Sequence, residues 1–212
     1  MEHDYLDKRV QRSKAALKQT FLQILQQKPF EQITVSEVAR EANYNRGTFY
    51  ANFESMEQLL DEVLKDTLNE MIKQIKTPYM TSQKVNMRSL HAEDITLFSY
   101  FKENARLYKL LLSPHLSVDF RYQMAKAIEQ LFVKEYEYEY VNSVDLSPKW
   151  FYIYRAHGIA GLIIRWIEED FPESPSFMSE QIIELMVAST EVFHVKKTSG
   201  GDKEKGGLHE SF

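Results

Sequence analysis

The sequence predicts an all-α protein, with an N-terminal three-helix head followed by a larger helical body. Three observations carry that expectation. Only Gly47, Gly158 and Gly161 precede Lys197, and the other four of the seven glycines lie between Gly200 and Gly207. Sustained apolar–polar alternation is scarce, whereas apolar residues recur every three to four positions over long stretches, the spacing of one helical face. Pro29, Pro78, Pro114, Pro148, Pro172 and Pro175 punctuate those stretches, where proline ends or opens a helix.

The first helix is expected from about Leu6 to Gln27, with Val10, Leu17, Phe21, Ile24 and Leu25 as its apolar stripe and Pro29 as its stop. A two-turn helix follows from Thr34 to Ala42, and a short one after Asn45. The fourth starts after Ser55 and keeps a four-residue rhythm through Leu59, Leu60, Val63, Leu64, Leu68, Met71, Ile72 and Ile75. Lys76 to Ser89 reads as a polar connector. Further helices are expected over 91–112, kinked near Asn104, and over 117–140, 148–170 and 177–195. The Glu135/Glu137/Glu139 run reads as a solvated helix end. The domain division is 1–54 for the head, 55–76 for a connecting helix, 77–196 for the body and 197–212 for a polar, Gly-rich tail expected to be disordered.

Composition excludes several function classes. There are no cysteines, which removes disulfide frameworks, zinc–thiolate sites, iron–sulfur clusters and cysteine nucleophiles. The N-terminal MEHDYLDKRVQRSK is polar and of mixed charge, unlike a secretory or transit signal. The most apolar stretch, Trp150 to Ile167, carries Arg155, His157 and Arg165, which disfavours a membrane span; a cytoplasmic location is expected. No nucleophile elbow, P-loop or dinucleotide fingerprint occurs. His91, Glu93 and Asp94 do not share one helical face. The reading is therefore not an enzyme, with no cofactor and no metal.

Charge is unevenly placed. The chain has a net charge of −5, yet residues 1–54 hold eight Lys/Arg against seven Asp/Glu. Lys8, Arg9, Arg12, Lys14 and Lys18 come without an intervening acid. A local basic patch, not the total, sets the potential met by a polyanion.

The informative segment is Ile33 to Phe53. Thr34-Val-Ser-Glu37 is a capping-box pattern. Asn43 is a residue that tolerates the left-handed conformation a tight helix end needs. Asn45 is a good N-cap. Two short helices joined by so short a turn make a helix-turn-helix. In the third helix Phe49 and Phe53 anchor one face, while Arg46, Gly47, Thr48, Tyr50 and Asn52 form a small polar face suited to a major groove. The helix starts at Thr34–Ser36 and Asn45–Gly47 offer free amides to phosphate.

These residues, from Lys28-Pro-Phe-Glu-Gln-Ile-Thr-Val-Ser-Glu-Val-Ala-Arg-Glu-Ala through Asn45-Arg-Gly-Thr-Phe-Tyr to Asn52-Phe-Glu-Ser, resemble the DNA-binding domain of the TetR/AcrR family of bacterial transcriptional regulators, over about residues 8–66. The resemblance implies an all-helical homodimer that binds double-stranded operator DNA, with the last two long helices at the subunit interface. It implies phosphate contacts by Thr34 and Ser36, base or phosphate contacts by Arg46, Gly47 and Thr48, and phosphate contacts by Tyr50 and Asn52, with Asn45 at the helix start. Asn52 stands where the family often has His, Met56 where it usually has Lys, and Asn43 where it usually has Gly. The closing pattern Tyr154-Arg-Ala-His-Gly-Ile-Ala-Gly-Leu-Ile-Ile-Arg-Trp-Ile-Glu looks like the regulatory domain of a Gram-positive branch.

In the body, fourteen aromatic residues crowd between Phe98 and Tyr154. They read either as plain core or as the wall of an effector pocket, for which Phe98, Phe101, Tyr108, Phe120, Met124, Phe132, Trp150, Tyr154 and His157 are the candidates. The helix after Pro148 is apolar nearly all round, which demands cover on several sides. Gly158, Gly161, Leu162, Trp166, Ile182, Met186 and Phe193 are the candidate dimer interface. The functional expectation is a repressor released from a palindromic operator by a small-molecule effector. The alternative is an activator or interaction module that works through a protein partner.

Overall fold

The computed structural model describes residues 2–139, 146–190 and 192–196. The tail expected at 197–212 lies outside the described residues.

The head comprises α1 (Glu2–Leu25), α2 (Val35–Glu41) and α3 (Arg46–Tyr50). The stripe of α1 places Leu17, Phe21, Ile24 and Leu25 in the core, against Val38, Ala39, Phe49 and Phe53. Val10 breaks the pattern and is half exposed. Between α2 and α3 the chain turns through Asn43 at φ 59°, the left-handed position its sequence place requires. The Asn43 and Tyr44 amides donate to the Arg40 and Ala39 carbonyls at 3.0 and 2.8 Å.

Helix α4 (Met56–Lys76) runs from the head into the body. Ser55 caps it, its Oγ accepting from the Gln58 amide at 3.2 Å. Its inner face buries Leu59, Leu60, Val63, Leu64, Thr67 and Met71. On its other side, Lys14 reaches Glu62 at 2.7 Å, and Lys18 reaches Glu62 at 2.9 Å and Asp66 at 2.6 Å. Two of the five residues in the N-terminal basic run are thus spent on joining α1 to α4.

The body comprises α5 (Leu97–Glu103), α6 (Ala105–Leu111), α7 (Phe120–Glu135), α8 (Pro148–Glu168) and α9 (Pro175–Val187). The expected kink is real: α5 and α6 part at Asn104, whose side-chain amide donates to the Tyr100 carbonyl at 2.9 Å. Helix α7 packs along α8. Among the described residues no helix is long and apolar enough to cross a membrane.

A small antiparallel sheet corrects three element boundaries. The strands β1 (Lys84–Asn86), β2 (Tyr136–Glu139) and β3 (Val192–Val195) lie in the order β1-β3-β2, with Phe193 opposite both Val85 and Tyr138. The connector at 76–89 therefore contains a strand, the helix read to 140 ends at Glu135, and the helix read to 195 ends at Val187. The Tyr-Glu-Tyr-Glu run is strand alternation, with Tyr136 and Tyr138 buried and Glu137 and Glu139 outward. Glu139 pairs across the sheet with Lys84 at 3.1 Å and with His194. The fold remains mainly helical with this sheet added.

Candidate nucleic-acid interface

The polar face of α3 is set by local hydrogen bonding. Asn45 caps the helix, its Oδ1 accepting from the Thr48 amide at 2.8 Å and from the Thr48 hydroxyl at 3.2 Å. The Thr34 hydroxyl caps α2 by accepting from the Glu37 amide at 3.3 Å. Lys28 holds Glu37 at 2.6 Å and keeps its carboxyl below the usual range. Phe49 and Phe53 anchor α3 from inside, both almost wholly buried and 5.6 Å apart. That anchoring leaves Ser36, Asn45, Arg46, Gly47 and Tyr50 outward, with Thr48 half-buried. The Arg46 guanidinium lies 5.9 Å from the Tyr50 ring, and its Nη2 donates to the Tyr50 hydroxyl at 3.4 Å.

Part of this face, Asn45, Gly47 and Thr48, is one wall of a groove of about 540 Å³, which Ser36, Arg46 and Tyr50 do not line. Lys8, Arg9 and Arg12 of α1 line the opposite wall, with Val10 and Ser13; Tyr44, Asn45, Gly47 and Thr48 line the near one. Three cations of the basic run thus stand beside the start of α3, while Lys14 and Lys18 face α4. At Gly47 an added Cβ would come 3.1 Å from Asn45 Oδ1, so a side chain there crowds the cap.

Asn52 lines the same groove, half-buried, with its amide donors turned to the protein. Its Nδ2 donates to the Thr48 carbonyl at 2.7 Å and to Ser13 Oγ at 3.1 Å. The short helix leaves the Thr48 carbonyl without a helical partner, and the amide satisfies it. Asn52 therefore ties α3 to α1. Met56 is 8% exposed and belongs to the core, so its thioether replaces the family's lysine with packing. Sequence reasoning missed Ser13, which is buried on α1 opposite Asn52; its place on the inner stripe, a turn before Leu17, was the available signal.

The remaining candidates separate into core and surface. Phe98, Phe101, Tyr108, Phe120, Met124 and Phe132 are all buried, and Tyr108 meets Phe101 edge-on at 4.5 Å. Trp150 and His157 are corrected, Trp150 at 63% exposed and His157 facing outward, whereas Tyr154, 73% exposed, lines a groove between α8 and α9. They occupy the outer side of α8, whose inner side presents Phe151, Arg155, Ala156, Ala160, Ile163 and Ile167. His157 Nε2 lies 3.9 Å from Glu129.

Two interface candidates are also corrected. Trp166 is buried within the chain between Phe98 and Phe171, and its Nε1 donates to the Glu173 carbonyl at 3.2 Å. Phe193 is buried in β3, its ring edge-on to Tyr79 at 5.2 Å and tilted against Tyr136 at 4.8 Å. Gly158, Gly161 and Leu162 are exposed, with open space over both glycines. Ile182 is buried and Met186 half-buried along α9. Among the described residues no cluster of three His, Asp or Glu could hold a metal ion.

Comparisons with known proteins agree with this arrangement. A family profile described as "Bacterial regulatory proteins, tetR family" matches residues 22–63, and one described as "Transcriptional regulator C-terminal region" matches residues 89–188. The sequence is 20% identical over 195 residues to the uncharacterized HTH-type transcriptional regulator YxbF of Bacillus subtilis (strain 168). That match takes in 91% of this chain and 50% of the relative, so the chain spans about half the relative's length. Among solved structures, a TetR transcriptional regulator from Streptococcus agalactiae 2603V is similar at a TM-score of 0.59 and 21% identity, covering 86% of this chain and 98% of that one. The dihydroxyacetone kinase operon activator DhaS is similar at 0.57 and 21%, covering 83% and 94%. With both matched regions and the fold in agreement, the chain belongs to the TetR family of bacterial transcriptional regulators.

Proposed function

We propose that this protein is a homodimeric DNA-binding regulator, a repressor released from a palindromic operator by a small-molecule effector. The observation that carries the reading is the groove in which Asn45, Gly47 and Thr48 at the start of α3 stand beside Lys8, Arg9 and Arg12. Base edges are then within reach of Arg46 and Thr48, and phosphates within reach of Tyr50, the α1 cations and the amides at the starts of α2 and α3.

The dimer reading rests on α8 and α9. Tyr154, Leu162, Phe177 and Leu185 are exposed there, and contiguous apolar surface of this kind marks an interface. Two copies would place two α3 helices about one DNA turn apart, roughly 34–36 Å. Helix α4, held to α1 by Lys14 and Lys18, would carry a change in the body to the head. An effector acts only if it binds the two dimer geometries with different affinity.

Gel shift with the DNA flanking the protein's own gene, run at several salt concentrations, tests the reading. A specific complex that weakens steeply with salt is expected. Absence of any complex at low salt would overturn it.

A further inference from the structure

Arg155 is out of keeping with its surroundings. It is 5% exposed, on the inner side of α8. Its guanidinium lies 4.6 Å from the Tyr138 ring and 5.2 Å from that of Phe151. Nη1 donates to Ser189 Oγ at 3.2 Å, while Nη2 is buried without a hydrogen-bond partner. Among the described residues no carboxylate pairs with it. Burial accordingly works against its charge, and the groups that act on it electrostatically are phenols. Buried arginines are ordinarily paired. The chain thus keeps a costly cation where an apolar residue would pack.

Arg155 and Ser189 line one groove of about 320 Å³ between α8 and α9, walled on α8 by Tyr154, Ile159 and Leu162 around Gly158 and on α9 by Ile182, Leu185 and Met186. One guanidinium and one serine hydroxyl, with the Tyr154 phenol beside them, on otherwise hydrocarbon walls match a small molecule with a single anionic head and an apolar body. The volume lies at the lower end of small-molecule sites. Among the described residues Arg155 is the groove's only Lys or Arg, which suits a monoanion and leaves a polyphosphate without enough positive charge.

We propose that this groove is the effector site and that it takes an apolar carboxylate, its head on Arg155 and Ser189 and its hydrocarbon between α8 and α9. A carboxylate supplies the counter-charge and accepts from the guanidinium fork in the planar geometry arginine favours. The face lies where the proposed dimer closes, so a bound acid touches the surface that sets the separation of the two heads. This inference rests on the effector-responsive reading above.

The test is calorimetric titration of the full chain with sodium octanoate and, separately, octan-1-ol, which has the same chain length and no charge. Octanoate is expected to bind saturably and at least tenfold more tightly than octanol. Arg155→Met abolishes that preference, and Arg155→Lys retains part of it. No saturable octanoate binding, equal binding of acid and alcohol, or unchanged binding in Arg155→Met would overturn the proposal. Thermal melting gives a second readout without ligand. Arg155→Met should melt at or above the native temperature, because a lone buried charge is replaced by a side chain of similar reach. A lowered melting temperature would make Arg155 a structural cation, and dissociation of the Arg155→Met dimer would place a carboxylate of the second copy on it; either result sinks the site. None of these readouts uses DNA. Loss of operator binding with octanoate binding intact overturns the regulator reading alone, whereas octanoate that binds without weakening the operator complex overturns the effector assignment.

Discussion

The Nδ1 of His115 donates to the main-chain carbonyl of Leu25 at 2.9 Å. The same residue's carbonyl accepts from the Phe30 amide at 3.0 Å. His115 lies in the loop between α6 and α7, and Leu25 is the last residue of α1. One residue of the body therefore holds the end of the head's first helix through its ring and the segment that follows it, at Phe30, through its backbone. Replacing His115 with Ala removes the ring bond, at a cost of about 1 kcal/mol. For a chain of this length that lowers the melting temperature by roughly 2–4 °C. Hydrogen exchange should accelerate locally, at Phe30 and the last turn of α1, and leave α8 unchanged. A uniform acceleration would show that the bond is not a local joint.

Arg46 and Arg12 should fail differently. Arg46 is exposed and, among the described residues, restrained only by Tyr50, so Arg46→Ala should leave the melting temperature unchanged. If it reads a base, specific affinity falls by about 1–3 kcal/mol and sequence preference relaxes at that position. Arg12 lines the far wall of the groove. Arg12→Ala should weaken all sequences alike and reduce the salt slope by about one. Binding isotherms on matched and scrambled duplexes across a salt series separate the two.

Asn52→Ala is a stability variant in this structure. It strips a donor from the Thr48 carbonyl and from Ser13 Oγ, and Ser13 is buried. A loss of about 1–2 kcal/mol is expected, with the salt slope of DNA binding preserved. An unchanged melting temperature with a reduced slope would return Asn52 to the phosphate backbone.

The junction of α1 and α4 should be sensitive to pH at both ends. Burial disfavours the Glu62 charge, but Lys14 and Lys18 outweigh it and hold the carboxyl below its ordinary value near 4.5. Its contribution is complete above that value and is lost as pH falls through the folded pKa, since the unfolded chain takes up the proton first. Burial likewise disfavours the Lys18 charge, but Asp66 and Glu62 outweigh it and raise its pKa above 10.5. That contribution is complete below 10.5 and is lost as pH rises through the folded value. Glu62→Gln should cost about 1 kcal/mol at neutral pH and flatten the acid limb of a melting-temperature profile between about pH 5 and 3.

The head was largely legible in the sequence because its signals are local. The Thr34 and Asn45 caps, the left-handed Asn43 and the Phe49/Phe53 anchor each depend on neighbours within a few residues, and each is found in place. The body was less legible because its information is non-local. Tyr136 to Glu139 is a strand only because Val192 to Val195, far along the chain, pairs with it. The two-residue alternation was present but too short to outweigh the helical rhythm before it. Trp150 and Trp166 share a helix and a chemistry, yet one is outward and one is core; the difference is set by what α8 packs against. Apolar character alone does not say which side of an all-round apolar helix is covered by its own chain.

That ambiguity on α8 leads to the last expectation. Leu185 is 55% exposed and, with Leu162 and Ile182, lines both of two adjoining grooves along the α8–α9 seam. An exposed leucine can be replaced by Glu with little effect on the isolated subunit, since no buried contact is lost. In a dimer closed by this face, the same change buries an unpaired carboxylate on each side of a two-fold axis. Leu185→Glu should therefore sediment as a monomer at micromolar concentration with its helical circular dichroism intact. It should also lose binding to a full palindrome by far more than to a half-site, because two heads no longer arrive together. A Leu185→Glu protein that still sediments as a dimer would place the subunit contact elsewhere on the body.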